Sequence, residues 1–184
     1  MKIRDKTIVI IGKTGCGKSI TKKILTKIEK FDSILEHTNR PIREGEKNGL
    51  DYIFETKEEM IRKIDHNEFV CWSKYEATFG DAYYGALPAD FKPNSVFLTN
   101  PDNLKMIQDS ELRDRLFTVY INVDESSRAI KLLQRGDTID EVYRRIASER
   151  EQFKDIEKRV DLVINNKYYH RDILNVVSKI LEYK

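Results

Sequence analysis

Cysteine is scarce in this sequence of 184 residues, which contains only Cys16 and Cys71. Their positions match neither a metal-ligand spacing nor the pattern of a disulfide framework. Long hydrophobic runs are missing as well. Residues 1–6, MKIRDK, contain no apolar segment of a signal peptide, and no stretch is long enough to span a bilayer. We therefore expect both thiols to be spectators and the protein to be cytoplasmic, with no membrane partner.

Charge of one sign is not in excess either. The formal net charge is +2 although 35% of the residues are charged, so the composition gives no whole-chain argument for nucleic-acid binding. The sequence also contains no internal repeat and no low-complexity segment. At this length we expect one compact α/β domain with insertions and no nucleic acid as a partner. The composition leaves the oligomeric state open.

The most informative stretch is residues 12–19, which fit the phosphate-loop pattern G-x-x-x-x-G-K-[ST]. A short apolar, β-branched strand is predicted before it, over residues 7–11, and residues 20–28 follow it with apolar side chains at helical spacing. A chance glycine turn would not combine this pattern with that context. The residues of the predicted nucleoside triphosphate site are Gly12, Lys13, Thr14, Gly15, Cys16, Gly17, Lys18 and Ser19.

The spacing of this motif follows from the chemistry of phosphate binding. Glycines let the backbone approach phosphate oxygens and turn successive N–H groups toward them, and the helix N-terminus adds partial positive charge. Lys18 can reach the β- and γ-phosphates, and the Ser19 hydroxyl can ligate Mg²⁺. The motif predicts what the site binds, but the reaction must be inferred from the rest of the chain.

Strand and helix patterns alternate along the chain, which predicts a parallel sheet covered on both faces, with ligands at the carboxyl ends of its strands. A capping box, Thr56-x-x-Glu59, predicts the start of one helix, and Asp124 or Ser126 can cap another. Further helices are expected over residues 103–109, 140–158 and 171–181. Strands are expected over residues 31–38, 51–54, 69–72, 95–99, 118–123 and 162–164, and loops over residues 39–49 and 76–81.

Two arginines, Arg40 and Arg43, lie three residues apart in the first of these loops. Guanidinium groups bind phosphate in a bidentate manner, so the pair can form a fork for an anionic group. The alternative is a solvated charged loop, which the two residues taken alone favour. In the same way Tyr83 and Tyr84 can be core residues or ligand contacts, and core is the default expectation.

The order of the motifs points to a family. The phosphate loop is followed by TNRPIREGE at residues 38–46, by GLDYIF at residues 49–54 and by YYG at residues 83–85. This order resembles the guanylate kinase family, whose nucleotide-binding stretch reads T-T-R-x-P-R-x-G-E-x-x-G-x-D-Y-x-F. The resemblance spans almost the whole chain and makes the phosphate fork the favoured interpretation. It extends to NEFV at residues 67–70, QRG at residues 134–136 and VINN at residues 163–166.

The resemblance implies a three-layer P-loop NTPase fold with a central parallel sheet. It also implies an enzyme, a kinase that uses ATP and Mg²⁺ to phosphorylate a nucleoside monophosphate, with GMP or dGMP as the default acceptor. Two insertions, a monophosphate-binding region at about residues 34–92 and a lid at about residues 124–158, are expected to close over the core when both substrates bind. The core itself comprises about residues 1–33, 93–123 and 159–184.

For the acceptor, the resemblance implies roles position by position. The residues that match the family's grip on the monophosphate are Arg40, Arg43, Tyr52 and Tyr84. Glu46 matches the glutamate that orders their loop.

For the donor, Lys18 and Ser19 match the triphosphate and magnesium positions. Arg135 and Arg145 resemble lid arginines that neutralise the transferring phosphoryl group, and Asn165 resembles the asparagine near the adenine of ATP. Such a site acts by positioning and cation clamping, without a covalent intermediate.

Departures from the family pattern fall at the positions that read the base. Glu36 stands where the family has a serine, and Cys71 replaces a glutamate before the tryptophan. Ala86 replaces a serine, and the acidic strand end L-D-x-D reads LTNP at residues 98–101, unless a one-residue gap places Asp102 at the second acid. Guanine offers N1–H and N2–H donors, and a buried donor without a partner costs about 1–3 kcal/mol. Either Glu36, Glu76 or Asp102 supplies a replacement carboxylate, or the site accepts another base.

Other interpretations stay open at this point. One is a deoxynucleoside monophosphate kinase for another or a modified base, and the extra length between Trp72 and Tyr83 is compatible with such a change. Another is a non-catalytic guanylate-kinase-like module that binds a protein partner. Such modules typically lose the phosphate loop, whereas Gly17, Lys18 and Ser19 are intact here. A kinase for a phosphorylated sugar would fit the phosphate grips too.

Overall fold

The central sheet is parallel, as predicted. The computed structural model describes residues 2–77, 79–166 and 173–183. Their strands are β1 Thr7–Ile11, β2 Asp32–Ser33, β3 His37–Thr38, β4 Ile53–Phe54, β5 Cys71–Ala77, β6 Gly80–Ala86, β7 Ser95–Thr99, β8 Leu116–Asn122 and β9 Leu162–Asn165. Five of them form the sheet, in the order β2-β7-β1-β8-β9. All five residues of β1 are buried, which explains its almost continuously apolar sequence.

Helices cover both faces of this sheet. Ile8 of β1 belongs to a buried cluster with Val177, whereas Val9 belongs to another with Leu104. Alternate side chains of the strand thus enter two cores, which gives the three-layer fold that the resemblance implied. In the part of the chain that the structure describes, no helix is long and apolar enough to cross a membrane. The helices are α1 Lys18–Lys27, α2 Lys57–Asp65, α3 Pro101–Gln108, α4 Glu125–Gln134, α5 Ile139–Gln152 and α6 Ile173–Leu181.

A second, four-stranded sheet lies within residues 37–86, in the order β4-β3-β6-β5. Strands β5 and β6 pair antiparallel along their full lengths, with Cys71 opposite Ala86, so they form a long hairpin. Gly85 has no room for a side chain, because a Cβ atom there would lie 2.7 Å from the ring of Phe69. The hairpin is therefore packed tightly against the segment that precedes it.

Two of the predictions about strands and loops are wrong. Residues 31–38, predicted as one strand, contain β2 and β3, which belong to different sheets. Residues 76–81, predicted as a loop, include the ends of β5 and β6, because the two strands continue to pair almost to the hairpin tip. Thr78 lies outside the described residues. The hairpin is thus longer than its turn-rich sequence predicted.

The long charged helix predicted over residues 140–158 is wrong in its C-terminal part. Helix α5 ends at Gln152, and a short 3-10 turn, Ile156–Arg159, follows. Asp155 has a left-handed φ of 57°, which breaks the helical path. Phe153 and Ile156 turn into the core. Burial of these apolar side chains therefore outweighs the continuation of an exposed charged helix.

The other helices agree with the prediction to within a few residues. Helix α3 begins at Pro101, where the Asn100 side chain accepts a backbone N–H of the first turn at 2.8 Å. Of the two candidates for the cap of α4, Asp124 is the one used, and its carboxylate accepts a first-turn N–H at 2.8 Å. Of the predicted closing helix, residues 171 and 172 lie outside the described residues.

The predicted capping box of α2 is confirmed, which makes it a test of local stability. Thr56 Oγ1 accepts the Glu59 N–H at 3.2 Å, and the Glu59 carboxylate accepts the Thr56 N–H at 2.9 Å. We expect Thr56→Ala to lower the free energy of unfolding by about 1 kcal/mol, as loss of a capping hydroxyl usually does. Urea denaturation measures the loss. Thr56→Ser keeps the hydroxyl and is the control, and an equal loss in both variants would contradict the assignment.

Candidate active site

The phosphate-loop sequence connects the carboxyl end of β1 to α1, at the centre of the parallel sheet. Gly12 has no room for a side chain, since a Cβ atom would lie 2.5 Å from Cys16 Sγ and 2.8 Å from the Ile121 carbonyl oxygen. Gly15 and Gly17 have φ values of 83° and 102°, in the left-handed region that favours glycine. Glycine at these three positions is therefore what allows the chain to form so tight a loop.

The lysine of the motif folds back onto its own loop. Lys18 Nζ donates hydrogen bonds to the carbonyl oxygens of Gly12 and Lys13, the latter at 3.2 Å. The buried Cys16 Sγ lies 3.9 Å from the same ammonium group. Ser19 is exposed in the first turn of α1. Lys18 and Ser19 thus lie together at a helix N-terminus, whose partial positive charge attracts anions.

A cavity of about 660 Å³ opens beside the phosphate loop, between the second sheet and the carboxyl end of β7. Several residues that the sequence predicted to be part of the site line this cavity, although they are far apart along the chain. They are Lys18, Glu36, Arg40, Arg43, Tyr52, Tyr84 and Arg145. Cations and tyrosine hydroxyls that converge beside a phosphate loop can hold a second phosphorylated molecule next to the first.

Arg40 is held in a fixed position in the cavity wall. Its guanidinium group forms a bidentate ion pair with Glu46, at N–O distances of 2.7 and 2.6 Å, and lies 4.7 Å from the centre of the Tyr52 ring. Glu46 also accepts the backbone N–H of Arg43 at 3.0 Å. The hydrogen bond from Arg40 is the main reason that the pKa of Glu46 falls to about 2. One carboxylate therefore organises the loop that carries both arginines.

Glu36 is half-buried and also lines the cavity, but it is not committed to a partner. No hydrogen bond or ion pair from the described residues reaches its carboxylate. Burial raises the pKa of Glu36 to about 7, although the charge of nearby Lys22 opposes the shift. Lys22 itself donates to the Ile34 carbonyl oxygen at 2.9 Å, and burial lowers its pKa to about 8. Glu36 is thus a cavity carboxyl whose charge changes near neutral pH.

Polar side chains of β5, α3 and the end of β7 form another part of the wall. Of these, only Asn100 belongs to a motif noted in the sequence, LTNP at residues 98–101. Asn100 Nδ2 donates to Ser73 Oγ and to the Tyr75 hydroxyl, both at 3.2 Å. Ser73 Oγ in turn donates to Oδ1 of the buried Asn103 at 2.9 Å. Ser73 and Tyr75 belong to the extra length after Trp72. That extra length was the feature of the sequence from which their place in the site could have been predicted. Amides and hydroxyls therefore occupy the strand end that the family pattern expects to be acidic.

Other positions that depart from the family pattern do not reach the cavity. Cys71 is buried and pairs opposite Ala86 in the hairpin, and neither is among the described residues that line the cavity. Burial raises the pKa of the Cys71 thiol, and the charge of Glu36 adds to the shift, so the two side chains are close. Asp102 is exposed in the first turn of α3. Glu36 is therefore the carboxylate whose charge acts on the Cys71 thiol.

Two further predicted residues lie outside the cavity. Arg135 is exposed and forms an ion pair with Asp137, at 2.6 Å. Asn165 ends β9 and accepts a hydrogen bond from a side-chain amide of β8 at 2.9 Å. Arg145 does line the cavity, and its Nε donates to Glu141, one helical turn earlier, at 2.5 Å. The structure thus brings one of the two predicted lid arginines to the cavity.

Solved structures of two kinases share this architecture. Guanylate kinase from Anaplasma phagocytophilum superimposes with a TM-score of 0.64 over 97% of this chain and 86% of its own, at 18% identity. Shikimate kinase from Bacteroides thetaiotaomicron gives a TM-score of 0.54 over 96% of both chains, also at 18% identity. Likeness at this level of identity concerns the fold alone, which is that of the P-loop kinases.

Sequence comparison is more specific than the fold. The guanylate kinase family model matches residues 4–183. Guanylate kinase from Campylobacter jejuni subsp. jejuni serotype O:2 is 30% identical over 175 residues, which cover 90% of this chain and 83% of that protein. Guanylate kinase from Mycoplasmopsis pulmonis is 30% identical over 161 residues, 80% of each chain. The protein is a nucleoside monophosphate kinase. It belongs to the guanylate kinase family, which confirms the resemblance read from its motifs.

The raised pKa of Glu36 predicts how the stability of the unliganded protein depends on pH. The folded protein binds this proton up to about pH 7, whereas the unfolded chain releases it near its ordinary pKa of 4.5. The free energy of unfolding should therefore fall as the pH rises from about 4.5 to about 7. Of the groups that face Glu36, Lys22 has a pKa of about 8, and those of Tyr52 and Cys71 are raised, so none of these titrates in that window.

Urea denaturation across this pH range tests the prediction. Glu36→Gln should flatten the fall in stability, because the amide does not titrate. Glu76→Gln is the matched control, since Glu76 is an exposed carboxylate that lines the same cavity. An unchanged pH slope in Glu36→Gln would contradict the assignment.

Proposed function

We propose that this protein transfers the γ-phosphoryl group of ATP to GMP or dGMP by direct in-line displacement. The observation that supports this function best is that Lys18, Arg40 and Arg43 all line the same cavity beside the phosphate loop. The guanylate kinases among its relatives supply the identity of the acceptor. Both substrates belong to the cytoplasmic nucleotide pool, where we place the activity.

The arginine loop is proposed to hold the acceptor's phosphate. Arg40 is held in place by Glu46, so its side chain loses little conformational freedom when the guanidinium group binds an anion. Arg43 is exposed at the cavity and supplies a second guanidinium group. Tyr52 and Tyr84, whose ring centres lie 6.0 Å apart, line the same part of the site and offer hydroxyl donors. This part of the site would offer a doubly charged phosphate both positive charge and hydrogen-bond donors.

Glu36 is proposed to read the base, at the position where the family has a serine. Guanine presents two adjacent N–H donors, and an ionised carboxylate can accept both. The Glu36 carboxylate is the one near the buried Cys71, where the family pattern has its glutamate. Asn100 and Ser73 add amide and hydroxyl groups that can meet the remaining polar atoms of a base. This arrangement would keep a carboxylate in the base site while moving it from β5 to the connection between β2 and β3.

The phosphate loop is proposed to hold ATP with Mg²⁺. Lys18 would exchange its present carbonyl partners for the β- and γ-phosphates, and Ser19 would ligate the metal. Across the described residues, no group of three or more His, Cys, Asp or Glu side chains is placed to hold a metal ion. Phosphate oxygens and water would therefore complete the magnesium shell, as Mg²⁺ commonly requires.

Closure of the two insertions is proposed to complete the site. The monophosphate-binding region, about residues 34–92, and the lid, about residues 124–158, would approach each other over both substrates. Arg145 already lines the cavity, and closure would bring Arg135 toward the transferring phosphoryl group. Asn165, at the carboxyl end of β9, would lie beside the adenine. Closure would also exclude water, which otherwise accepts the phosphoryl group.

A coupled ADP-release assay with ATP and Mg²⁺ tests this function. It is run against all common ribo- and deoxyribonucleoside monophosphates. A preference for GMP or dGMP is expected, and Glu36→Gln should weaken that preference. Preference for another base would overturn the guanine assignment, and no turnover with any of them would overturn the kinase proposal.

We expect Lys18→Ala to reduce turnover by about 10²–10³-fold, because a cation that stabilises the transferring phosphoryl group is lost. The melting temperature should stay close to that of the parent protein, since the hydrogen bonds of Lys18 in the described structure reach only its own loop. Lys23→Ala removes an exposed lysine of the same helix and serves as the control. Normal activity in Lys18→Ala would refute the donor site.

We expect Arg43→Ala to raise the KM of the acceptor by about 10–100-fold, the effect of one lost hydrogen bond to a charged group. The KM of ATP should change little, because Arg43 lies in the acceptor loop. Steady-state kinetics with each substrate varied in turn separates the two constants. Arg62→Ala, which removes an exposed arginine of α2, should leave both unchanged. A rise in the KM of ATP alone would contradict the proposed role.

A further inference from the structure

An ion pair that the proposed reaction does not use is buried beneath the phosphate loop. Arg128 of α4 and Glu149 of α5 meet with an N–O distance of 2.7 Å, and their side chains are only 1% and 9% exposed. Arg128 is one of the largest fully buried side chains in the described part of the chain. Charges are costly to remove from water, so a pair this deeply buried needs a compensating set of hydrogen bonds.

Both members of the pair bind the backbone of one phosphate-loop residue, Thr14. Glu149 Oε1 accepts the Thr14 N–H at 2.6 Å, while Arg128 Nη1 donates to the Thr14 carbonyl oxygen at 3.1 Å. The backbone at the next residue lies against the same helix: a Cβ atom on Gly15 would be 3.4 Å from the Arg128 carbonyl oxygen. The loop is thus bound by two lid helices through the main-chain N–H and C=O groups of Thr14.

A second ion pair also joins the two helices. Glu125 and Arg150 already join α4 to α5 at the surface, with N–O distances of 3.0 and 2.8 Å. Arg128 Nε, moreover, is buried without a partner among the described residues, so the buried pair is not fully satisfied. The distinguishing feature of the buried pair is therefore its contact with the loop.

The same pair sets the position of a cavity residue. Arg145 lies one helical turn before Glu149 on α5, and it lines the cavity together with Lys18. Because Glu149 is bound to Thr14, the distance between the phosphate loop and Arg145 depends on that contact. Gly15 and Gly17 have N–H groups with no acceptor among the described residues, and these remain available to phosphate.

We propose that Arg128 and Glu149 are positioning residues that fix the backbone of Thr14 and thereby set the distance between the donor-phosphate site and Arg145. This inference rests on one part of the proposed function, namely that the phosphate loop binds the phosphates of the donor. The ligand it concerns is a nucleoside di- or triphosphate with Mg²⁺. Neither residue touches the reacting atoms, so their effect is transmitted through the loop backbone and α5.

The test compares four variants. Glu149→Gln and Arg128→Lys disturb the buried pair with little change in volume. Glu125→Gln disturbs the exposed pair between the same helices and is the matched control. The double variant Arg128→Met/Glu149→Met replaces both buried charges by apolar side chains, a change that buried ion pairs often tolerate without loss of stability. Melting temperature identifies the variants that fold.

The readouts are the KM of ATP, the KM of the acceptor, kcat, and the Kd of ADP with Mg²⁺ from calorimetry. In Glu149→Gln, in Arg128→Lys and in the double variant if it folds, we expect the KM of ATP and the Kd of ADP to rise about tenfold or more and kcat to fall. The acceptor KM should stay within about twofold. Glu125→Gln should match the parent protein in all four.

Two results would overturn the inference. One is a folded double variant that binds ADP and ATP as the parent protein does, since the pair would then serve only stability. The other is an equal rise in the KM of both substrates, which would indicate a general distortion. Failure of the kinase proposal is distinguishable, because the calorimetric Kd of ADP reports on the loop even if no acceptor is phosphorylated.

Discussion

The parallel pairing of β1 between β7 and β8 is the constraint on which the rest of the structure depends. It places the carboxyl ends of three neighbouring strands at one edge, and each end continues into a segment that bears on the site. The phosphate loop follows β1, Asn100 follows β7, and the lid helices follow β8. Gly12 then brings the loop to within contact of the Ile121 carbonyl oxygen. The position of the donor site is therefore a consequence of strand order.

The two sides of the cavity differ in how far their groups are committed. On the arginine side, Glu46 binds Arg40 through two hydrogen bonds and Arg43 through its backbone, so the cationic surface exists before any ligand binds. On the other side, Glu36 has no partner among the described residues, and its pKa is close to neutrality. A preformed grip suits the phosphate, which every nucleotide shares. An uncommitted carboxyl suits the base, which distinguishes one nucleotide from another.

Patterns within a single stretch of chain predicted local structure well. The apolar run of β1, the capping box at Thr56 and the strand Ser95–Thr99 were predicted as the structure has them, because neighbouring residues determine each of these features. The phosphate loop and the arginine fork came from motifs, and the structure brings both to one cavity. The roles proposed for Arg135 and Asn165 stay predictions.

Features that depend on distant contacts could not be predicted in this way. Helix α5 ends early because Phe153 is buried by residues far along the chain. The split of residues 31–38 between two sheets depends on which strands pair, which periodicity does not encode. The Arg128–Glu149 pair gave no signal at all, since both residues occur in highly charged stretches where exposed side chains are the rule.

The unbroken pairing of the β5–β6 hairpin bears on how this site can evolve. Successive residues of a strand point to opposite faces, so Ser73 and Tyr75 share one face of β5, and both line the cavity. Insertion of one residue within β5 would turn this set of side chains away, whereas insertion of two would preserve their direction and lengthen the wall. Length variation in this hairpin is therefore expected to occur in even steps, which keep the direction of these side chains and change the depth of the acceptor site.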